Sequence, residues 1–284
     1  MCIDAENAIN TGIDQCEKVG NSVLYLYGDD ALLSVAGQQN NTVGDPVEYL
    51  HSDMEAVARL AATLDVWARQ RNAAGPRSMA PLQRRFEIIA QTTPGAPALR
   101  HGDRRLAYGE LDVEADELAL QLQRGGLRPG SFCLLRLAPS PARVRATLAI
   151  LKAGGACLEL DPALPPAGVA AVVRLLQPAL LFVPADGAAV PERCGMGVVR
   201  AGDEAACLPY GWPDEVPVAS ATPAHAWAGL SEDGGILVRV MTHLGLVASL
   251  ASPRTSGPPA GAGHPTALWE PLSTGAMLTI PARP

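Results

Sequence analysis

The chain has 284 residues, of which 48% are hydrophobic and 18% charged, with 28 glycines and 25 prolines. That is the composition of a globular protein with one or two cored domains, and it excludes a low-complexity or collagen-like chain. A formal charge of -7 argues against a broad electrostatic footprint on nucleic acid or on an anionic membrane.

Six cysteines, at 2, 16, 133, 157, 194 and 207, form no C-x-x-C pair, and Cys133 and Cys157 fall inside apolar runs. They read as reduced core residues, without a disulfide frame or a zinc site. The N-terminus lacks a basic stretch followed by an apolar run, and no apolar segment approaches spanning length. A cytoplasmic location is expected, with no membrane and no nucleic acid as partner.

Residues 1 to 75 read as a small α/β unit. Asn21 to Tyr27 and Ala31 to Ala36 flank Gly28-Asp29-Asp30 and predict two strands joined by a short turn. Ser52 and Glu55 have capping-box spacing; Val57, Leu60, Ala61 and Leu64 then share one helical face, with Trp67 a turn further on. Gly75, Pro76 and Pro81 mark a linker into a second unit, 76 to 284.

The second unit alternates strand and helix. A helix from about Gly109 buries Leu111, Ala115, Leu118 and Leu122 and ends at Gly125-Gly126. Strand Ser131 to Leu137 follows, then a helix opened by Ser140-Pro141, whose Val144, Leu148 and Leu151 recur on one face. Gly154 and Gly155 stop that helix, because glycine enters positive φ without a Cβ clash. Strand Ala156 to Leu160, a helix after Pro165-Pro166 and strand Ala179 to Val183 complete the series. The expected fold class is therefore α/β, a doubly wound, mainly parallel sheet preceded by the small α/β unit.

The run Leu148-Ala-Ile-Leu-Lys-Ala-Gly-Gly-Ala-Cys-Leu-Glu-Leu-Asp-Pro162 resembles a core motif of the amino-acid adenylation domains of nonribosomal peptide synthetases, which usually reads LKAGxAY-hydrophobic-P-hydrophobic-DP. Tyr108, Glu110 and Leu111 occupy that family's opening motif. The resemblance covers residues 82 to about 183 and implies the N-terminal subdomain of an adenylate-forming fold. Even in the family this motif is scaffold, and any doubly wound protein uses a helix, a Gly-Gly turn and a strand in the same way. The first unit, just upstream, resembles the end of a condensation domain and its linker.

The same resemblance implies a phosphate loop further on, in which glycine-exposed N–H groups and hydroxyls cradle phosphates and a lysine neutralises charge. Thr242-His243-Leu244-Gly245-Leu246 resembles the family's THxGL landmark, and counting back from it places the loop at Ala228 to Val238. In that register Leu237 stands at the lysine, Ile236 at the proline, and Glu232 and Asp233 at hydroxyls; Arg239 is the nearest substitute cation. The run Ala267-Leu-Trp-Glu-Pro-Leu-Ser-Thr-Gly-Ala-Met-Leu-Thr-Ile-Pro281 matches the next landmark and puts Ala262 where the family's amino-group aspartate stands. The metal-binding acid, the ribose-binding aspartate and the C-terminal subdomain with its catalytic lysine find no counterpart before Pro284.

Other chemistries lack a constellation. His51, His101, His225, His243 and His264 show no metal spacing, and neither a G-x-S-x-G elbow nor a G-x-G-x-x-G fingerprint occurs. His243 reads as a core or capping residue, and Asp161, at a strand end, as a turn residue. The expectation is thus no catalytic, cofactor-binding or metal-binding residue, and no cofactor. The sequence reads as a non-catalytic partner or scaffold in nonribosomal peptide biosynthesis, pairing with a peptide-synthetase component or with a second copy of itself. Two other readings stand beside it: the N-terminal half of a split adenylating enzyme completed in trans, and a decayed fragment.

Overall fold

A computed structural model of the chain describes residues 15–19, 22–27, 30–35, 62–63, 81–184, 196–200, 223–230, 236–251 and 266–281. Its centre is the unit β6 (Phe132–Leu135), α3 (Pro141–Lys152) and β7 (Ala156–Leu160). The Ser140 hydroxyl accepts the Arg143 N–H at 3.2 Å and Pro141 takes the first helical position, as the capping pattern expects. At the other end Gly154 adopts φ 86°, and the Gly155 N–H reaches the Ile150 carbonyl at 2.9 Å. Val144, Leu148 and Leu151 are all buried.

The chain then turns back on itself. From β7, α4 (Pro166–Leu176) leads to β8 (Leu180–Val183), which pairs with the far side of β6, so the strand order runs β7-β6-β8. The step from β6 to β7 and the step from β7 to β8 go in opposite directions. Right-handed crossovers then require α3 and α4 to lie on opposite faces. The pleat agrees: Cys133, Leu135 and Cys157 share a cluster with α3, whereas Leu134, Leu158 and Leu181 share one with α4. Strands covered on both faces read as unbroken apolar runs. The Phe-Cys-Leu-Leu and Leu-Leu-Phe-Val segments are of that kind.

Further strands lengthen the sheet on both sides. β9 (Gly197–Arg200) adds in parallel beyond β8, and β10 (Pro223–Leu230) adds in parallel beyond β7. β11 (Ile236–Thr242) runs antiparallel to β10, and past it lie β1 (Gln15–Val19), β2 (Ser22–Tyr27) and β3 (Asp30–Val35), all antiparallel. The parallel expectation therefore holds for the five strands from β10 to β9, and the opposite side is antiparallel. The predicted strand pair is present as β2 and β3, and β3 pairs with β11 from Val35↔Ile236 to Asp30↔Met241. Of the helix expected over Ser52 to Trp67, only Ala62 and Thr63 lie among the described residues, and both are helical.

A helical layer covers one face. It contains α1 (Leu82–Thr92), α2 (Tyr108–Arg124), α3, α5 (His243–Ala251) and α6 (Thr266–Thr274). The sequence reading did not anticipate α1, although Leu82, Phe86 and Ala90 are its buried stripe. Beyond this layer stands a small sheet of β12 (Leu278–Ile280), β4 (Pro97–His101) and β5 (Arg104–Ala107).

The opening motif proves to be a joint. Glu110 reaches back to accept the Ala107 N–H at 2.8 Å at the start of α2. Tyr108 is fully buried, its ring centroid is 5.3 Å from that of Phe86, and its hydroxyl donates to the Ala276 carbonyl at 2.8 Å. Burial pushes the phenol up to about 12, so it remains a donor at any physiological pH. Tyr108→Phe is expected to lower stability by about 1–2 kcal/mol through the orphaned carbonyl, read as a shift of the urea midpoint with the m-value unchanged.

Candidate functional site

Open α/β sheets bind ligands at the carboxyl ends of their parallel strands. Here that edge gathers Asp161 after β7, Leu230 at the end of β10 and the start of α3. Asp161 is a turn residue, its carboxylate accepting the Ala163 N–H at 2.8 Å.

The loop assigned to Ala228–Val238 is shorter than that. β10 and β11 stay paired out to Leu230↔Ile236, so only Ser231-Glu232-Asp233-Gly234-Gly235 connect them. Ile236 and Val238 are buried in the cluster beneath α4. Leu237 lies within β11, opposite Gly229 on one side and Ser34 on the other, and Arg239 lies opposite Trp227 and Leu32. Trp227 crosses the bare face of Gly229, where a Cβ would come 2.3 Å from its ring.

Behind this edge lies a buried polar cluster that the sequence reading missed. The Arg143 guanidinium sits 2.6 Å from one Glu159 oxygen, and His225 Nε2 is 3.8 Å from the other, beyond hydrogen-bond length. Burial alone would raise the Glu159 pKa; His225 and Arg143 outweigh it and hold the carboxyl below its usual range. Glu159 stands at the motif's proline position, and that departure was the available signal. The cluster fastens the first turn of α3 to β7 and β10.

Cys133, Cys157, Lys152, Thr242 and His243 are engaged in the scaffold. Cys133 and Cys157 are cross-strand neighbours, both buried, and burial pushes both thiols up, away from the nucleophilic thiolate. Lys152 is 5% exposed, and its ammonium meets Asp112 at 2.7 Å, Asp116 at 2.5 Å and Glu87 at 3.8 Å. Burial works against that charge, but the two aspartates raise its pKa overall. Thr242 caps α5 by accepting the Gly245 N–H at 3.1 Å. His243 is fully buried, neither ring nitrogen has a hydrogen-bond partner, and burial pushes its pKa down to about 4. Of the two roles expected for His243, the core one applies. Ala262, Glu232 and Asp233 lie outside the described residues. Among the described residues no group of three His, Cys, Asp or Glu could hold a metal ion, and no helix is long and apolar enough to cross a membrane.

A family profile described as AMP-binding enzyme matches residues 86–228, half of the chain. Malpibaldin synthetase of Mortierella alpina is 45% identical over 80 residues, covering 28% of this chain and 1% of that protein. Surfactin synthase subunit 3 of Bacillus subtilis is 41% identical over 85 residues, covering 30% of this chain and 7% of that one. The N-terminal subdomain of Klebsiella oxytoca NpsA superposes with a TM-score of 0.60 at 22% identity, covering 73% of this chain and 56% of that chain. The fold is thus that of the N-terminal subdomain of adenylate-forming domains, and the chain spans a small fraction of the synthetases it matches.

The buried histidine sets a pH dependence. An unfolded histidine titrates near 6.5, so between about 6.5 and 4 the unfolded chain holds the extra proton and stability falls as pH falls, by at most ~3 kcal/mol. Glu159 adds to this at the acid end, because its depressed pKa makes its contribution disappear as pH drops through the folded value. Urea midpoints of His243→Leu at pH 7 and pH 4.5 are expected to differ less than those of the parent. An equal difference in both proteins would contradict the assignment.

Proposed function

This chain belongs to the AMP-binding enzyme family, and from that premise we propose that it is a non-catalytic, adenylation-domain-derived partner or scaffold in nonribosomal peptide biosynthesis. The observation that carries the reading is the β10–β11 connection. It has five residues, two of which are the acids Glu232 and Asp233, and in the register counted back from Thr242 the resemblance sets Leu237, a residue of β11, where the phosphate-loop lysine would stand. Two carboxylates beside a phosphate repel it, at about 4 Å and an effective dielectric near 20 by on the order of 4 kcal/mol each. Lys152, nearly buried among three acids, is not available in exchange.

The scaffold itself is well kept. Caps, periodicity and the Tyr108 joint support a folded role, while groups that would handle phosphate are replaced; fold and activity separate in this way because function resides in sites. The partner in this reading is a cytoplasmic peptide-synthetase component, or a second copy of the chain, meeting it through an interface of roughly 1,200–2,000 Å².

The purified chain is expected to show no amino-acid-dependent exchange of pyrophosphate into ATP with amino or aryl acids. Leu237→Lys is expected to leave calorimetric ATP binding undetectable, because one added cation does not offset two neighbouring carboxylates. Exchange by the chain alone would overturn the proposal. Exchange that appears only after addition of a synthetase component would replace it with the split-enzyme reading.

A further inference from the structure

We propose that the depression between the β4–β5 hairpin, α2 and the first turn of α3 binds a small oxyanion, a carboxylate or phosphate carrying a short apolar body. The cavity measures about 190 Å³. That is below the roughly 300–1,000 Å³ of drug-sized ligand sites, so it suits a compact acid. Leu99 and Leu106 supply an apolar wall; His101, Arg104 and Arg145 supply the basic one. The acid lining it is Glu114, 3.8 Å from Arg145.

The hairpin register points to the ligand's charge. β4 and β5 place Arg100 opposite Arg105 and His101 opposite Arg104. Like charges directly opposite on adjacent strands destabilise the pair; Arg100 and Arg105 are such a pair, and Arg104 follows next to them, opposite His101, on a chain whose net charge is -7. Arg104 is exposed and has no carboxylate within ion-pair distance among the described residues. The second pair, His101 and Arg104, lines the cavity. An oxyanion placed there accepts a charge-assisted hydrogen bond from Arg104, with Arg145 as the second cation of the lining and the His101 ring beside them, while Leu99 and Leu106 receive the body of the ligand. This inference rests on the cavity and the hairpin register and stands apart from the proposed role in peptide synthesis.

The test is calorimetric titration of the whole chain with sodium benzoate, inorganic phosphate and, as the uncharged control, benzamide. Saturable binding of benzoate or phosphate is expected, with none for benzamide, weakening as salt is added. Benzoate alone identifies an apolar acid as the ligand, and equal binding of phosphate identifies the oxyanion as sufficient. Arg104→Gln is expected to weaken binding about tenfold, the loss of one charged hydrogen bond. Arg104→Glu should abolish it, because the reversed charge repels the oxyanion. No saturable binding of either anion at millimolar concentration, or binding unchanged in Arg104→Gln and Arg145→Gln, would overturn the proposal.

Discussion

The ammonium of Lys152 is the constraint on which the helical layer depends. Removing such a charge from water costs several kcal/mol unless partners replace the solvent, and at 5% exposure Lys152 has little solvent left. Asp112 and Asp116 lie one turn apart on α2, so both carboxylates project from the same side and converge on one nitrogen. Glu87 approaches from α1. Because α3 is the crossover between β6 and β7, fixing its last residue to α1 and α2 also fixes how the helical layer lies on the sheet.

A second tie works at the opposite end of the same helix. Arg143, in the first turn of α3, is held by Glu159 of β7, and the Thr147 hydroxyl donates back to the Arg143 carbonyl at 2.9 Å. The helix is thus anchored by a cation at each end, one to the sheet and one to neighbouring helices. In both places the charge is neutralised by groups of the protein itself. That division suits a fold whose recognisable motifs serve packing.

Legibility followed the range of the interaction. Ser140-Pro141 and Gly154 act through residues three to five positions away, so helix α3 and its ends were readable from the sequence. The strand β10, Pro-Ala-His-Ala-Trp-Ala-Gly-Leu, has few strand-favouring residues; it is a strand because β7 and β11 pair with it from both sides. The β11 pattern was visible, but the register counted back from Thr242 assigned its first residues to a loop. Glu159 with Arg143 and His225, and Lys152 with Asp112 and Asp116, escaped notice because their partners come from separate elements. The departure of Glu159 from the motif's proline was the hint that remained. At the candidate site the identities of Leu237, Glu232 and Asp233 were legible, and the short hairpin that carries them was not.

The pairing of β3 with β11 has a consequence for how the protein is made. Val35 meets Ile236, so at about 5–20 residues per second a ribosome needs on the order of 10–40 s to deliver the partner strand after β3 emerges. During that interval the three-strand meander exposes the backbone donors and acceptors of β3, an open edge able to pair with another chain. Closing so long a loop also slows folding relative to the neighbouring βαβ unit. The region from β6 to β8 can therefore collapse first, and the N-terminal strands join it last although they are synthesised first.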